Sequence, residues 1–177
     1  MNKTIEDLKT RRSIRKFKDE QISDEDLKTI LETGTYAPTA RGLQSPKIVV
    51  IQNPEKIKEL SAWNRSFFPT EMPEDLDPFY GGKTLLIVLA NTEWPTWKED
   101  GSSVLAVLVN AAHAVGVGSC WIHRAYDEFH SEKGKELLKE WGIPETYEGV
   151  GHVVLGYPDM EAPEPLPRKE DYIHYVD

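Results

Sequence analysis

Three arginines and a serine fall within five residues, Arg11-Arg12-Ser13-Ile14-Arg15. Such a run can present several forked donors and a hydroxyl to a phosphate dianion. The same residues can equally form a solvated basic face at a helix terminus, and the segment alone leaves both readings open. Its setting makes the contrast sharper: the chain carries a net charge of −9, yet its first 18 residues hold seven basic side chains against Glu6 and Asp7. An acidic total repels nucleic acid and anionic membranes at long range, so neither is expected as a partner. Arg168-Lys169 forms a second cationic pair far away in sequence, which taken alone reads as surface charge.

A second candidate is the loop Ala37-Pro-Thr-Ala-Arg-Gly-Leu-Gln44, which offers backbone amides, a hydroxyl and a side-chain amide beside a strand end. Little bulk near Thr39, Ala40 and Gly42 would let a planar ligand approach the backbone. An ordinary connector is the bland alternative. The five histidines, His113, His123, His130, His152 and His174, show no metal-ligand spacing with each other or with Cys120, and no metal is expected. Cys120, the only cysteine, reads as a packing residue in a strand. Gly116-Val-Gly118 follows a helix and precedes a strand, the reverse of the order a dinucleotide fingerprint needs.

The elements that must position these residues are legible in the periodicity. Ile5 and Leu8 mark a short amphipathic helix that delivers the chain to Arg11. Ser23 and Asp26 have capping-box spacing, Ile22 can staple onto Leu27, and Gly34 supplies a stop, giving a helix over 24–33. Strands are expected over 47–52, 84–90, 119–122 and 152–157, and helices from Pro54 to about Trp63, over 101–115 and over 131–141. Pro69, Pro73 and Pro78 mark an irregular stretch that could form a lid. Beyond Tyr157, four prolines favour an extended path ending in the aromatic-rich Tyr172-Ile-His-Tyr-Val176, which is too apolar to be left loose and should dock. The length suits one domain over 1–177, with 158–177 as an extended arm, and no run near 20 apolar residues or signal core is present, which places the protein in the cytoplasm.

Together the segments RRSIRKF at Arg11 to Phe17, APTARGLQSP at Ala37 to Pro46, FYGG at Phe79 to Gly82, AAHAVGVGSCWIHRA at Ala111 to Ala125, and VVLGYP with PRKEDYIHYV at the C-terminus resemble the FMN-dependent nitroreductase family. The resemblance implies a three-layer α-β-α member of the α+β class, with a central, largely antiparallel sheet and a homodimer with FMN at the subunit interface. It assigns the phosphate to Arg11, Arg12, Ser13 and Arg15 with Arg168 and Lys169. From the other subunit it brings Pro38, Thr39, Ala40 and Gln44. It runs Trp121, Ile122 and His123 beside the isoalloxazine, with a backbone amide facing N5. The sequence departs from the family where Gly42 replaces an asparagine and Val107 a polar residue.

The implied activity is ping-pong transfer of a hydride from NADH or NADPH, through flavin N5, to an electron-poor acceptor such as a nitroaromatic or quinone. No side-chain acid or nucleophile is required, since the cofactor carries the chemistry. Enone reduction or dehalogenation on the same cofactor, and a non-enzymatic flavin-binding or sensing protein, are the alternatives.

Overall fold

The computed structural model describes residues 2–176. Six α-helices surround one four-stranded sheet of order β1-β2-β4-β3, antiparallel at every pairing. The strands are β1 (Lys47–Ile51), β2 (Thr84–Asn91), β3 (Gly118–Ile122) and β4 (Tyr147–Gly156). The helices are α1 (Lys3–Thr10), α2 (Asp24–Gly34), α3 (Pro54–Ser66), α4 (Trp97–Ala114), α5 (Ala125–His130) and α6 (Glu132–Glu140).

β2 is apolar from Leu85 to Ala90 because both of its faces are covered. Side chains alternate across a strand, so Leu86 and Val88 enter one core with α2 and α4, while Leu85, Ile87 and Leu89 enter another with α3, α5 and α6. Val153 and Leu155 of β4 join the first core and Val154 the second. The result is the three-layer α-β-α arrangement.

α2 starts as its sequence dictates. Ser23 Oγ accepts from the Asp26 amide at 3.0 Å and donates to the Asp26 carboxylate at 2.8 Å, and Ile22 and Leu27 are buried in the same core. Its end differs from the expectation. Gly34 is the last helical residue and has no left-handed backbone; a Cβ there would come within 2.6 Å of Leu108 Cδ2, so this glycine is needed for the close approach of α2 to α4. At the end of α4, Gly116 does adopt the left-handed stop, with φ 79°.

Two elements exceed the expected bounds. α4 begins at Trp97, four residues before Gly101, and β4 begins at Tyr147 rather than His152. β4 carries a register shift opposite Val88 and Leu89 that sets Val150 against α4, where Gly101 leaves room for its methyl groups. α5 was not expected at all. No helix among the described residues is long and apolar enough to cross a membrane.

Candidate functional site

β3 is an edge strand, and the basic segment runs along its open side. Ser13 bridges Ser119 in parallel register and the Ile14 amide donates to the Ser119 carbonyl at 2.9 Å. Further on, Phe17 bridges Pro158 and the Lys18 amide donates to the Tyr157 carbonyl at 2.9 Å. The segment is therefore extended, and alternation divides its side chains into two sets. Ile14 is buried, packed where Gly118 lacks a Cβ, and it lines a cavity of about 240 Å³ with Arg12, Thr10 and His113. Arg15, from the other set, lines a cavity of about 270 Å³ with Cys120, Trp121, Ile122, His123 and Arg124.

The Cys120 thiol reports on that second set. Burial pushes its pKa up, and the charges of Arg15 and Arg11 together with hydrogen bonding from Ser13 and Arg15 pull it partly back. Arg15 lines the cavity beside Cys120, and none of the arginines forms a salt bridge among the described residues. Arg12 is employed differently. Its Nε donates to the Pro163 carbonyl at 3.1 Å, and its Nη1 donates to the carbonyls of Lys9 and Arg11 at 2.8 and 2.7 Å. It fastens the start of the C-terminal arm to the end of α1.

Backbone donors and acceptors of a strand alternate between its two edges. Since the Ser119 carbonyl faces outward to Ile14, Trp121 and His123 share that outward direction, while the Ile122 side chain is buried in the core behind. The end of β3 is held rigidly. Asn64, fully buried at the end of α3, donates to the His123 carbonyl at 3.0 Å and accepts from Arg124 Nε at 3.1 Å. The Arg124 guanidinium lies 3.7 Å from the centroid of the Phe68 ring. Asp77 fixes the outer wall by accepting from Ser61 Oγ and the amides of Phe79 and Gly81. Asn64, Phe68, Tyr80 and Arg124 escaped sequence reasoning because their meeting is a tertiary event without local periodicity.

The loop at Pro38 lies elsewhere in the chain. The Ala40 amide donates to buried Asp100 of α4 at 2.9 Å, and Thr39 Oγ1 accepts from the Gln44 amide at 3.0 Å. Thr39 and Gln44 line a largely apolar groove of about 590 Å³ between α2 and β1. Pro38 is exposed beside them. β1 and β3 are opposite edges of the sheet, about 14 Å apart at ordinary strand spacing. Within one chain the loop and the Trp121 cavity share no lining residue.

Arg168 and Lys169 sit on the exposed arm, and Arg168 donates from Nε and Nη2 to the carbonyl of its own neighbour Leu166. The structure therefore brings Arg15, Trp121, Ile122 and His123 around one cavity, with Ser13 bridged to Ser119 on the adjoining strand edge, and leaves Pro38, Thr39, Ala40, Gln44, Arg168 and Lys169 apart from them. Gly42 has φ 66° with open space around it, and Val107 packs partly buried against the α2–α4 core. All four non-glycine residues with positive φ lie at these places: Arg41 (54°) and Gln44 (50°) in the loop, Tyr80 (54°) and Arg124 (77°) on the cavity. Strain of this kind persists where surrounding structure enforces it, and it clusters at ligand sites.

Comparison with known proteins settles the lineage. The model of the nitroreductase family matches residues 8–157. The chain belongs to the nitroreductase family. It is 38% identical to the FMN reductase (NADPH) of Bacillus subtilis over 192 residues, covering 97% of this chain and 73% of that protein. A nitroreductase with bound FMN from Bacteroides fragilis superimposes with a TM-score of 0.90 at 26% identity, covering all of both chains. An FMN-dependent nitroreductase from Clostridium difficile gives a TM-score of 0.79 at 30% identity over 98% of this chain and 99% of that one.

Proposed function

We infer that this nitroreductase-family chain is an FMN-dependent NAD(P)H oxidoreductase that reduces electron-poor acceptors such as nitroaromatics or quinones. The observation that carries the reading is the extended basic segment along the open edge of β3, where Ser13 bridges Ser119 and Arg15 lines one cavity with Trp121, Ile122 and His123. This donor set fits FMN: forked cations and a hydroxyl suit a phosphate and ribityl chain, and an open strand edge suits a flat heterocycle.

When bound, FMN supplies the hydride relay at N5 between NAD(P)H and the acceptor. Arg11, Ser13 and Arg15 would hold and orient its phosphate end. The outward amide of Trp121 would offer an N–H donor to the bound ring, and the Asn64 bond to the His123 carbonyl holds that strand end in place. Cys120, with its thiol pushed toward the protonated form, takes no nucleophilic part.

The rest of the envelope comes from a second copy in this reading. Pro38, Thr39, Ala40 and Gln44 of the partner approach the ring, and Arg168 with Lys169 reach a phosphate through the arm 158–177 of a chain that otherwise forms one domain. The placement of β1 and β3 at opposite edges of the sheet supports this, since β2 and β4 lie between the loop beside β1 and the edge of β3 within one chain. So does the arm's exposed apolar content, Leu166, Tyr172, Ile173, Tyr175 and Val176, set against an apolar groove along the free edge of β1.

The deciding experiment is the visible spectrum of the purified protein, followed by anaerobic addition of NADH and of NADPH. A yellow protein that releases FMN on denaturation and bleaches with at least one donor is expected. A colourless protein that takes up no added FMN, or a flavin that neither donor bleaches, would sink the reading.

A further inference from the structure

We propose that Arg124 makes the cavity beside Trp121 selective for anionic aromatic acceptors, such as carboxylate-bearing nitroaromatics. The inference rests on the flavin reading of the same cavity and goes beyond it by naming what the acceptor must carry.

Arg124 is a partly buried cation on the cavity wall, and the only hydrogen bond of its guanidinium among the described residues is the one from Nε to Asn64. Among the described residues no carboxylate lies within salt-bridge distance of it. Glu128, Tyr80 and Asp127 exert longer-range attraction, which burial outweighs, so its pKa lies below the usual arginine value. Asp77 on the same wall is occupied by Ser61 and two backbone amides. The guanidinium is aimed rather than loose: Asn64 holds one side and Phe68 backs its face. The terminal nitrogens remain available, which suits bidentate recognition of a carboxylate.

The backbone adds an independent observation. Arg124 is held at φ 77°, where glycine would be unstrained. A purely structural turn has no need of a long charged side chain at such a point. Arg15 and Arg124 both line the cavity, Arg15 from the basic segment beside β3 and Arg124 from just past the end of β3. One cation can thus serve the flavin end while the other faces the entering acceptor. Phe68, Tyr80 and Trp121 on the same lining supply apolar surface for an aromatic ring.

The test uses FMN-loaded protein, so that the phosphate subsite is filled, and two unreactive probes, benzoate and benzamide, titrated by perturbation of the oxidised flavin spectrum. Benzoate should bind about 10-fold more tightly than benzamide, weakening in high salt. Arg124→Gly, which relieves backbone strain and so should fold, should remove that preference, and Arg124→Lys should retain most of it. With enzyme reduced beforehand, 4-nitrobenzoate should outpace 4-nitrobenzamide in the acceptor half-reaction by a similar ratio, again lost in Arg124→Gly. Equal affinities in the native protein, or an unchanged benzoate preference in Arg124→Gly, overturns the inference. A chain that takes up no FMN but shows an Arg124-dependent benzoate preference by calorimetry removes the flavin reading and leaves an anion site at Arg124.

Discussion

At the scale of single residues, the basic motif divides its work. An extended segment sends alternate side chains to opposite sides, and here Arg12 is spent on the carbonyls of Lys9, Arg11 and Pro163 while Arg15 opens onto the cavity. Arg15→Ala and Arg11→Ala should each weaken FMN binding by about 10-fold or more, the order expected for losing a charge-assisted contact. Arg12→Ala should leave the affinity within a few-fold and raise hydrogen exchange near Pro163. Fluorescence titration of released FMN and exchange mass spectrometry measure the two effects; equal losses of affinity from all three variants would refute the division. The sequence showed that a cluster existed. It could not show the partition, because that depends on which side of β3 the segment pairs with.

At the scale of elements, legibility followed local chemistry. α2, β1, β2 and the body of α4 were readable because capping residues, apolar runs and helical spacing are written within a few neighbours. α5 was not, since it is six residues long and begins at left-handed Arg124 with no side-chain cap. The first half of β4 was hidden by Gly149 and Gly151, which break the apolar run because Ala125 and the Trp121 indole pack against them. The same dependence on distant partners governs two predictions. Behind Ile122, Glu128 of α5 pairs with His152 of β4, both fully buried. Removing one partner strands the other, so Glu128→Ala should destabilise the fold by about 3–5 kcal/mol, read from urea unfolding. On the opposite layer, Thr10 Oγ1 and His113 Nε2 lie 2.9 Å apart and tie α1 to α4. Burial, aided by Arg11, Lys3 and Arg12 against the pull of Asp7, holds the His113 pKa below its ordinary 6.5. A depressed folded-state pKa means that the unfolded chain takes up the proton first as pH falls. Stability from this group is present above about pH 6.5 and is lost below it. The urea midpoint should therefore drop more between pH 7 and pH 5 in the native protein than in His113→Asn, and parallel curves would refute the assignment.

At the scale of the whole molecule, the two halves of the arm differ, and a single truncation would confuse them. Its start is bound to its own chain: Phe17 bridges Pro158, the Asp159 amide donates to the Lys16 carbonyl at 3.0 Å, and Pro163 accepts from Arg12. Its end is not. Leu166, Tyr172, Ile173, Tyr175 and Val176 are at least 67% exposed, more apolar surface than a monomer keeps in water without a purpose. The stretch after Glu164 can extend roughly 40 Å at about 3.1 Å per residue. Ending the chain at Glu164 keeps the clamp on Lys16 and Arg12 and removes only the free part. That protein should fold, run as a monomer in light scattering at micromolar concentration, and bind FMN at least 10-fold more weakly, because it lacks Arg168, Lys169 and the partner's loop at Thr39 together. Ending it at Tyr157 should in addition loosen residues 11–18, visible as faster hydrogen exchange of the Ile14 and Lys18 amides. A chain ending at Glu164 that stays dimeric and fully loaded with flavin would show that the groove is filled by something other than the arm.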